Sequence, residues 1–341
     1  MNKEKILINN LKEGLREHEI MRNHTTLRVG GVADFYYEAK TIDDLIKAIK
    51  ISQKANIPYF VLGDGSNILF SDYGFPGLII KNLTSNIAFM NEKSQVIVDS
   101  GMPLARLILE STSRNLSGIE FLYGVPGTVG GAVYGDAGAF GQAIGDFVKY
   151  VTLFLPYEKS KLEHIEIKEN QKSKDPRIVQ FTRDWMGFSY RSSKIKRTES
   201  LQKPIILSVI FQLAQSRQEE IMRRLNMYKE KRIISQPWGQ SAGCVFRNPI
   251  PAELKNVTGA GSVNMPELPK ERTAGFMLER AGAKKLRVGS AKVSPKHANF
   301  VLNTNGATAQ EIRKLIEQMR SVVREKFDIN LEEEIEYVGQ W

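Results

Sequence analysis

The period of the apolar positions changes several times along the chain. Between Thr41 and Ala55 they fall at Leu45, Ile46 and Ile49, a helical stripe. Thr41 is placed to cap this helix, with Asp44 at its third position. Tyr59-Phe60-Val61-Leu62 is a short apolar run closed by Gly63, which predicts a strand feeding a glycine turn. Leu78-Ile79-Ile80, Val96-Ile97-Val98 and Pro204 to Phe211 predict further strands, and Leu104 to Asn115 a helix begun after Pro103. Gln218 to Lys231 predicts a charged helix that opens the next domain. Thr308 to about Lys326 predicts another helix, with Thr308 and Glu311 as a capping box and Ile312, Leu315, Ile316, Met319, Val322 and Val323 as its stripe.

Residues 1–20 are expected to be a helical lead-in, and Leu331 to Val338 a terminal strand. On that strand Glu332 and Glu334 would share one face and Glu333 the other. Residues 118–145 are too rich in glycine for a regular helix and too apolar for a linker, so a compact turn-rich segment is expected. Residues 157–178 are rich in Lys and Glu and poor in large apolar side chains, as a surface hairpin or insertion would be. Strands mixed with helices indicate α+β or α/β, which the pattern alone does not separate.

Composition narrows the picture. The 341 residues, 42% hydrophobic and 25% charged, suit a globular protein of two or three domains. No apolar run approaches the roughly 20 residues of a membrane span, and the charged stretch up to Glu19 lacks a signal peptide's apolar core. A cytoplasmic protein away from the membrane is expected. Cys244 is the only cysteine, which excludes an internal disulfide and a zinc site built on several thiolates. The net charge of +10 admits an acidic partner, but the basic residues are scattered. Their densest clusters, Lys159–Lys174 and Arg223–Arg232, carry no aromatic residue and only Tyr228 respectively, so nucleic-acid binding is not expected.

Six short segments carry candidate chemistry. Gly63-Asp64-Gly65-Ser66-Asn67-Ile68 follows a strand and can bring backbone N–H groups to a phosphate; it is equally an ordinary tight turn. It is neither a P-loop nor a Rossmann fingerprint. Gly124-Val125-Pro126-Gly127-Thr128-Val129-Gly130-Gly131-Ala132 can let a large flat ligand touch the main chain, or can serve close backbone packing. Tyr190-Arg191 can hold an anion, although a surface strand explains it as well. Cys244 after Ser241-Ala242-Gly243 can donate a proton or be a buried inert thiol. His297 in Lys296-His297-Ala298-Asn299-Phe300 and the acidic run Glu332-Glu333-Glu334 can be functional, or a structural histidine and a solvated tail.

The order of these segments decides between the readings. Asn23-His24-Thr25-Thr26-Leu27-Arg28-Val29-Gly30-Gly31 is followed by the glycine-serine-asparagine turn and by Pro-Gly-Thr-Val-Gly-Gly. Tyr-Arg-Ser-Ser comes next, then Ser-Ala-Gly-Cys-Val-Phe-Arg-Asn-Pro, Val293-Ser294-Pro295-Lys296-His297-Ala298-Asn299-Phe300 and the final Leu-Glu-Glu-Glu. From about residue 20 to 339 this resembles the UDP-N-acetylenolpyruvoylglucosamine reductase family.

The resemblance implies an α+β protein. An FAD-binding fold of the vanillyl-alcohol-oxidase type would span 21–213 in two lobes, 21–85 and 86–213, followed by an α+β substrate domain at 214–328. The strand at 329–341 would return to the active site. It implies reduction of UDP-N-acetylglucosamine enolpyruvate by FAD and NADPH, in a monomer without metal. Arg191 and Glu334 match the positions that stabilise an enolate-like state, and Cys244 that of the proton donor. Glu334 would be protonated or bonded to the substrate carboxylate, since two bare carboxylates repel. Arg28, Gly63, Gly65, Ser66, Asn67, Ile68, Pro126, Gly127, Thr128, Gly130, Gly131 and Ala132 match cofactor positions. Tyr190, Arg232, Asn248 and His297 match substrate positions.

Three features depart from the family pattern. The donor position holds cysteine instead of serine, a thiol that is also open to oxidation. Gly135-Asp136 stands where Met-Asn is common. The span from Arg191 to Cys244 is too short for one subclass's tyrosine-bearing loop, which places the chain in the loop-lacking subclass. A flavin oxidase of the same fold, acting on another sugar or alcohol, is the alternative.

Overall fold

The structure, a computed structural model, describes residues 3–12, 14–156, 175–199, 203–249 and 269–341. Most of the 157–178 insertion lies outside the described residues. Its end, Ile178–Thr182, is a strand.

The first lobe is a four-stranded sheet in the order Leu15–Ile20, Val32–Ala39, Phe75–Asn82, Tyr59–Leu62. The outer pair is antiparallel and the others are parallel. The helix Ile42–Ala55 makes the crossover and buries Leu45, Ile46, Ala48 and Ile49. Thr41 and Asp44 form the expected capping box. Residues 15–20 are therefore an edge strand, not the second half of a helix; only Lys3–Asn10 is helical. Most of this strand's side chains face solvent, so its polar sequence carries little alternation to distinguish it from an exposed helix.

The second lobe is a five-stranded antiparallel sheet ordered Ile178–Thr182, Val148–Phe154, Ile205–Gln212, Gln95–Asp99, Ile87–Met90. The helix Leu104–Thr112 packs Leu104, Leu107 and Ile108 into its core. Residues 118–145 are compact and turn-rich, as expected, but contain a short helix, Val129–Tyr134, capped by Thr128.

The helix Gln218–Ser235 does not open a new domain. It buries Ile221 and Leu225 on the second lobe, and Arg224 pairs with the buried Glu120 at 3.0 Å. With only two buried apolar side chains, its sequence has almost no stripe to show which body it joins.

A third core unites the sheet Arg287–Val288, Ala291–Val293, Val301–Asn303 with the helices Ala274–Arg280 and Ala309–Phe327. Thr308 and Glu311 form the capping box of the last helix. This core also takes in Leu27, Val29 and Leu69 from the first lobe. The Asp72 carboxylate accepts from the N–H groups of Ala309 and Gln310, at 2.9 and 3.0 Å, where the helix N-terminus favours an anion.

The terminal strand is shorter than expected. Glu336–Val338 pairs in parallel with Ile68–Phe70, while Glu333 makes a single bridge to Phe246. Without regular pleating, Glu332 and Glu334 do not share a face: Glu332 is exposed, Glu333 pairs with Arg320, and Glu334 turns toward Arg191.

Candidate active site

Two glycine segments 60 residues apart meet. Ser66 Oγ donates to the Pro126 carbonyl at 3.0 Å. A Cβ added to Gly63 would lie 2.7 Å from Thr128 Oγ1, and one on Gly127 would lie 3.1 Å from Ser66 Oγ. Gly65 sits at φ +63, with its carbonyl taking the Thr26 N–H at 3.1 Å. Lys81 Nζ holds the Gly63 carbonyl at 2.6 Å. Among the described residues nothing accepts from the backbone N–H groups of Gly65 and Ser66. Unclaimed amides on a glycine turn form a nest for an anion such as a pyrophosphate.

Gly130 closes against Ser100, its N–H on the Ser100 carbonyl at 2.7 Å. Gly131 donates to Thr128 Oγ1; Ala132 is buried in the second lobe's core and Ile68 in the first lobe's. Arg28 is exposed at φ +55 and donates to the Asn23 carbonyl at 3.1 Å. It lines a cleft of about 380 Å³ together with His24, Asp64 and Lys81.

Arg191 is placed by a four-residue turn. Ser189 and Ser192 exchange backbone hydrogen bonds of 3.0 and 2.8 Å, with Tyr190 and Arg191 between them. Arg191 takes φ +56, the conformation normally given to glycine or asparagine, at a cost of roughly 1–2 kcal/mol. Arg197 fixes the turn by bonding Ser189 Oγ, Ser192 Oγ and the Gly187 carbonyl. Ser193 Oγ ties it to the carbonyl of Tyr134, at the end of the glycine-segment helix. The surface-strand reading of Tyr190-Arg191 is thus replaced by a braced, half-buried turn.

Glu334 arrives from the chain's end. Its N–H donates to the Val245 carbonyl at 2.7 Å, and its carbonyl accepts from Asn67 Nδ2 at 3.1 Å. Glu334 Oε1 lies 2.9 Å from Arg191 Nε. That nitrogen is buried, so the ion pair with Glu334 is shielded from solvent and fixes the direction of the guanidinium.

Cys244 stands between these groups, paired with Phe300 by a single β-bridge. Burial pushes its thiol up to about 12 and Glu334 adds to the effect. Arg191, Arg232 and a hydrogen bond with Asn299 pull the other way. Asn299, which the sequence reading did not single out, is the support of this segment. Its side chain takes the Phe246 N–H at 2.9 Å and gives to the Phe246 carbonyl at 2.8 Å. Its nearness to His297 in the sequence was the only signal available.

The remaining positions gather around the same centre. Tyr190 Oη accepts from the Asn248 N–H at 3.3 Å, and Asn248 Oδ1 takes the Ala274 N–H at 3.0 Å. Burial raises the Tyr190 hydroxyl above its ordinary value, so it stays protonated. His297 packs against Gly275 on the same helix and accepts the Asn299 N–H on Nδ1 at 3.3 Å. Burial, then Lys284, lowers its pKa, which leaves a neutral ring with its proton on Nε2. Arg232 spends two nitrogens on the Phe121 and Tyr123 carbonyls, both at 2.9 Å, and lies over Phe140. Burial and then Arg191 lower its pKa.

The glycine nest adjoins a cluster of two arginines, a carboxylate and a protonated thiol. Comparison with known proteins decides what this arrangement belongs to. Residues 33–159 match an FAD binding domain, and residues 235–338 match the UDP-N-acetylenolpyruvoylglucosamine reductase C-terminal domain. The chain is 33% identical to the UDP-N-acetylenolpyruvoylglucosamine reductase of Anoxybacillus flavithermus, over 96% of this chain and 95% of that one. The chain belongs to the UDP-N-acetylenolpyruvoylglucosamine reductase family.

The Bacillus subtilis member is 32% identical over 94% of this chain and 93% of its own. The crystal structure of the Thermus caldophilus member superimposes with a TM-score of 0.70 at 29% identity, covering 95% of this chain and 99% of that one. The expected α+β architecture, an FAD-binding domain followed by the family's C-terminal domain, is the one observed. The nest and the glycine segment fit the cofactor this family's fold implies.

Proposed function

We propose that this chain reduces UDP-N-acetylglucosamine enolpyruvate to UDP-N-acetylmuramate, with NADPH as electron source, in peptidoglycan precursor synthesis. The observation that carries the reading is the convergence of Arg191, Glu334 and Cys244 from three distant segments onto one centre beside the glycine nest. The turn at Gly63–Ile68 and the segment Pro126–Ala132 would hold FAD, with Arg28 at the neighbouring cleft.

Bound there, FAD would supply the hydride chemistry, with NADPH as the source of electrons. The residues of the chain bind, orient and protonate. Arg191, held by Glu334, brings its positive charge to the substrate carboxylate, where negative charge grows as the double bond next to it is reduced. Glu334 anchors that guanidinium and closes the site from the terminal segment. Cys244 holds a proton at neutral pH because its thiol is buried, and it gives that proton to the second carbon. The thiolate left behind faces Arg191 and Arg232, which lower its energy until it is reprotonated. Arg232 supplies positive charge for the diphosphate. Tyr190, Asn248 and neutral His297 offer hydrogen bonds to the sugar nucleotide. One chain contains every group named, so a monomer suffices. Nucleotide sugar and NADPH place the reaction in the cytoplasm.

The test is an anaerobic visible spectrum of purified protein, with NADPH added first and the enolpyruvyl UDP-sugar second. Bleaching followed by return of the yellow colour is expected. Bleaching that the sugar nucleotide does not reverse would reject the substrate and favour an oxidase of the same fold. Protein that cannot be loaded with FAD would reject the reading altogether.

A further inference from the structure

We propose that Lys196 and Glu336 are positioning residues: their ion pair latches the terminal segment to the Arg191 turn and so holds Glu334 in place on the Arg191 guanidinium. The inference rests on the reading of Arg191 and Glu334 given above.

Arg191 and Lys196 belong to one braced unit. The Tyr190-Arg191 turn runs directly into the short helix Lys194–Arg197, where Ser193 Oγ accepts the Lys196 N–H at 3.3 Å. Ser193 Oγ also donates to the Tyr134 carbonyl at 2.7 Å, and Ile195 is buried in the second lobe's core. Lys203 braces the same helix by donating to the Lys196 carbonyl at 2.9 Å and to Tyr134 Oη at 3.2 Å. Facing this unit, Glu334 and Glu336 lie two residues apart on the terminal segment, with Ile335 between them buried in the third core. Arg191 Nε meets Glu334 Oε1 at 2.9 Å, and Lys196 Nζ meets Glu336 Oε1 at 3.0 Å. Two cations of one unit thus hold two carboxylates of the other.

A single ion pair fixes one distance but lets the two segments turn about it. Two pairs side by side fix their relative orientation as well. The Lys196 side chain is 12% exposed and that of Glu336 30%, so solvent and salt screen this pair less than one on the open surface. The Lys196 ammonium also lies 5.7 Å from the centre of the Tyr134 ring, at the end of the glycine-segment helix, so the latch touches three segments of the site. The backbone of Glu336 is secured separately. Its N–H donates to the Asn67 carbonyl at 3.0 Å, and it pairs with Ile68 as the first residue of the strand Glu336–Val338. Loss of the Lys196–Glu336 pair would therefore leave these backbone bonds standing and release only the side-chain hold on the Arg191 turn. Neither residue is assigned to the substrate; each acts through Arg191 and Glu334.

The experiment compares FAD-loaded wild type with Glu336→Gln, Lys196→Met and the double variant. Reduction of FAD by NADPH and reoxidation by the enolpyruvyl UDP-sugar are each followed by anaerobic stopped flow. Reoxidation is expected to slow ~10- to 100-fold in each single variant, on the order of what a misplacement of about 1 Å costs, while reduction by NADPH keeps its rate. The double variant should be no slower than the single ones, because all three lack the same pair. Equal losses in the two half-reactions, losses that add in the double variant, or unchanged reoxidation would overturn the inference. Amide hydrogen exchange gives a readout independent of the reaction. The Glu334 N–H, bonded to the Val245 carbonyl, should exchange faster in every variant than in wild type. Should Lys196→Met fail to load FAD, Glu336→Gln, which keeps the size of the side chain and the backbone bonds, decides by the same outcomes. Wild type that cannot reduce the sugar nucleotide would count against the proposed reaction, whereas unchanged exchange at Glu334 would count against the latch whatever the reaction.

Discussion

The side-chain amide of Asn67 donates to the backbone carbonyl of Glu334 at 3.1 Å, across 267 positions of sequence. The return bond is made nearby, as the Glu336 N–H meets the Asn67 carbonyl at 3.0 Å. One asparagine therefore joins the glycine turn to the segment that presents the carboxylate.

Asn67→Ala removes this link. A stability loss of about 1 kcal/mol is expected from the hydrogen bond alone. FAD retention and turnover should fall together, because both sides of the site are held by the same residue. Absorbance at the flavin band against protein, with initial rates, checks this. A variant that kept full FAD content and rate would show the bond to be idle.

Cys244 should behave as a stored proton and not as a reactive thiol. With the thiol pushed up to about 12, little thiolate exists below pH 9. Iodoacetamide is expected to label the native protein much more slowly than the unfolded chain. The susceptibility to oxidation that a lone cysteine suggests in sequence is reduced by the same burial. Cys244→Ser should retain most activity and Cys244→Ala should lose it. An alanine variant reducing the enolpyruvyl group at full rate would remove Cys244 from the mechanism.

Arg191→Lys keeps the charge but loses the planar fork and the buried Nε. A fall of roughly 10²–10³ in kcat is expected from a lost transition-state donor. Glu334→Gln should weaken the hold on Arg191 while leaving the backbone bonds to Asn67 and Val245 in place. Single-turnover reoxidation separates the two effects, since FAD loading should survive in both.

Buried beyond the end of the glycine-segment helix, Asp136 gives a signed dependence of stability on pH. Its carboxyl is raised from 3.8 to about 7 on folding, so the folded chain keeps a proton that the unfolded chain has released. The resulting destabilisation is absent below about pH 3.8, grows as pH rises and is complete above about 7. Asp136→Asn should therefore raise the Tm by more at pH 8.5 than at pH 5. An equal shift at both values would contradict the assignment.

Asn299→Ala would leave the buried N–H and C=O of Phe246 without partners. A loss of about 2–4 kcal/mol is expected. Denaturant unfolding measures it, and an unchanged midpoint would show that neighbouring groups take over both bonds.

Local sequence was sufficient wherever local physics decides. The capping boxes at Thr41 and Thr308 and the apolar stripes behind them are complete within a few residues, and both helices stand where the pattern puts them. The strands at Tyr59–Leu62 and Ile205–Gln212 declare themselves because both of their faces meet packed side chains. The order of the glycine, Tyr-Arg, Ser-Ala-Gly-Cys and Leu-Glu-Glu-Glu segments pointed to the family, because a succession of so many short motifs is specific even where each one alone is not.

Elements that bury little were not legible. The edge strand Leu15–Ile20 and the helix Gln218–Ser235 expose most of their side chains, so partners distant in the chain select their form and place. The same holds for the site. That Glu334 and not Glu332 meets Arg191 depends on an irregular segment held by Asn67, Val245 and Phe246. The charge state of Cys244 and Asp136 depends on burial and on arginines brought near from other segments, Arg191 and Arg232 for the first and Arg191 and Arg183 for the second. Sequence named the candidate groups; the long-range packing set their protons and their distances, because desolvation and Coulomb attraction act through space and not along the chain.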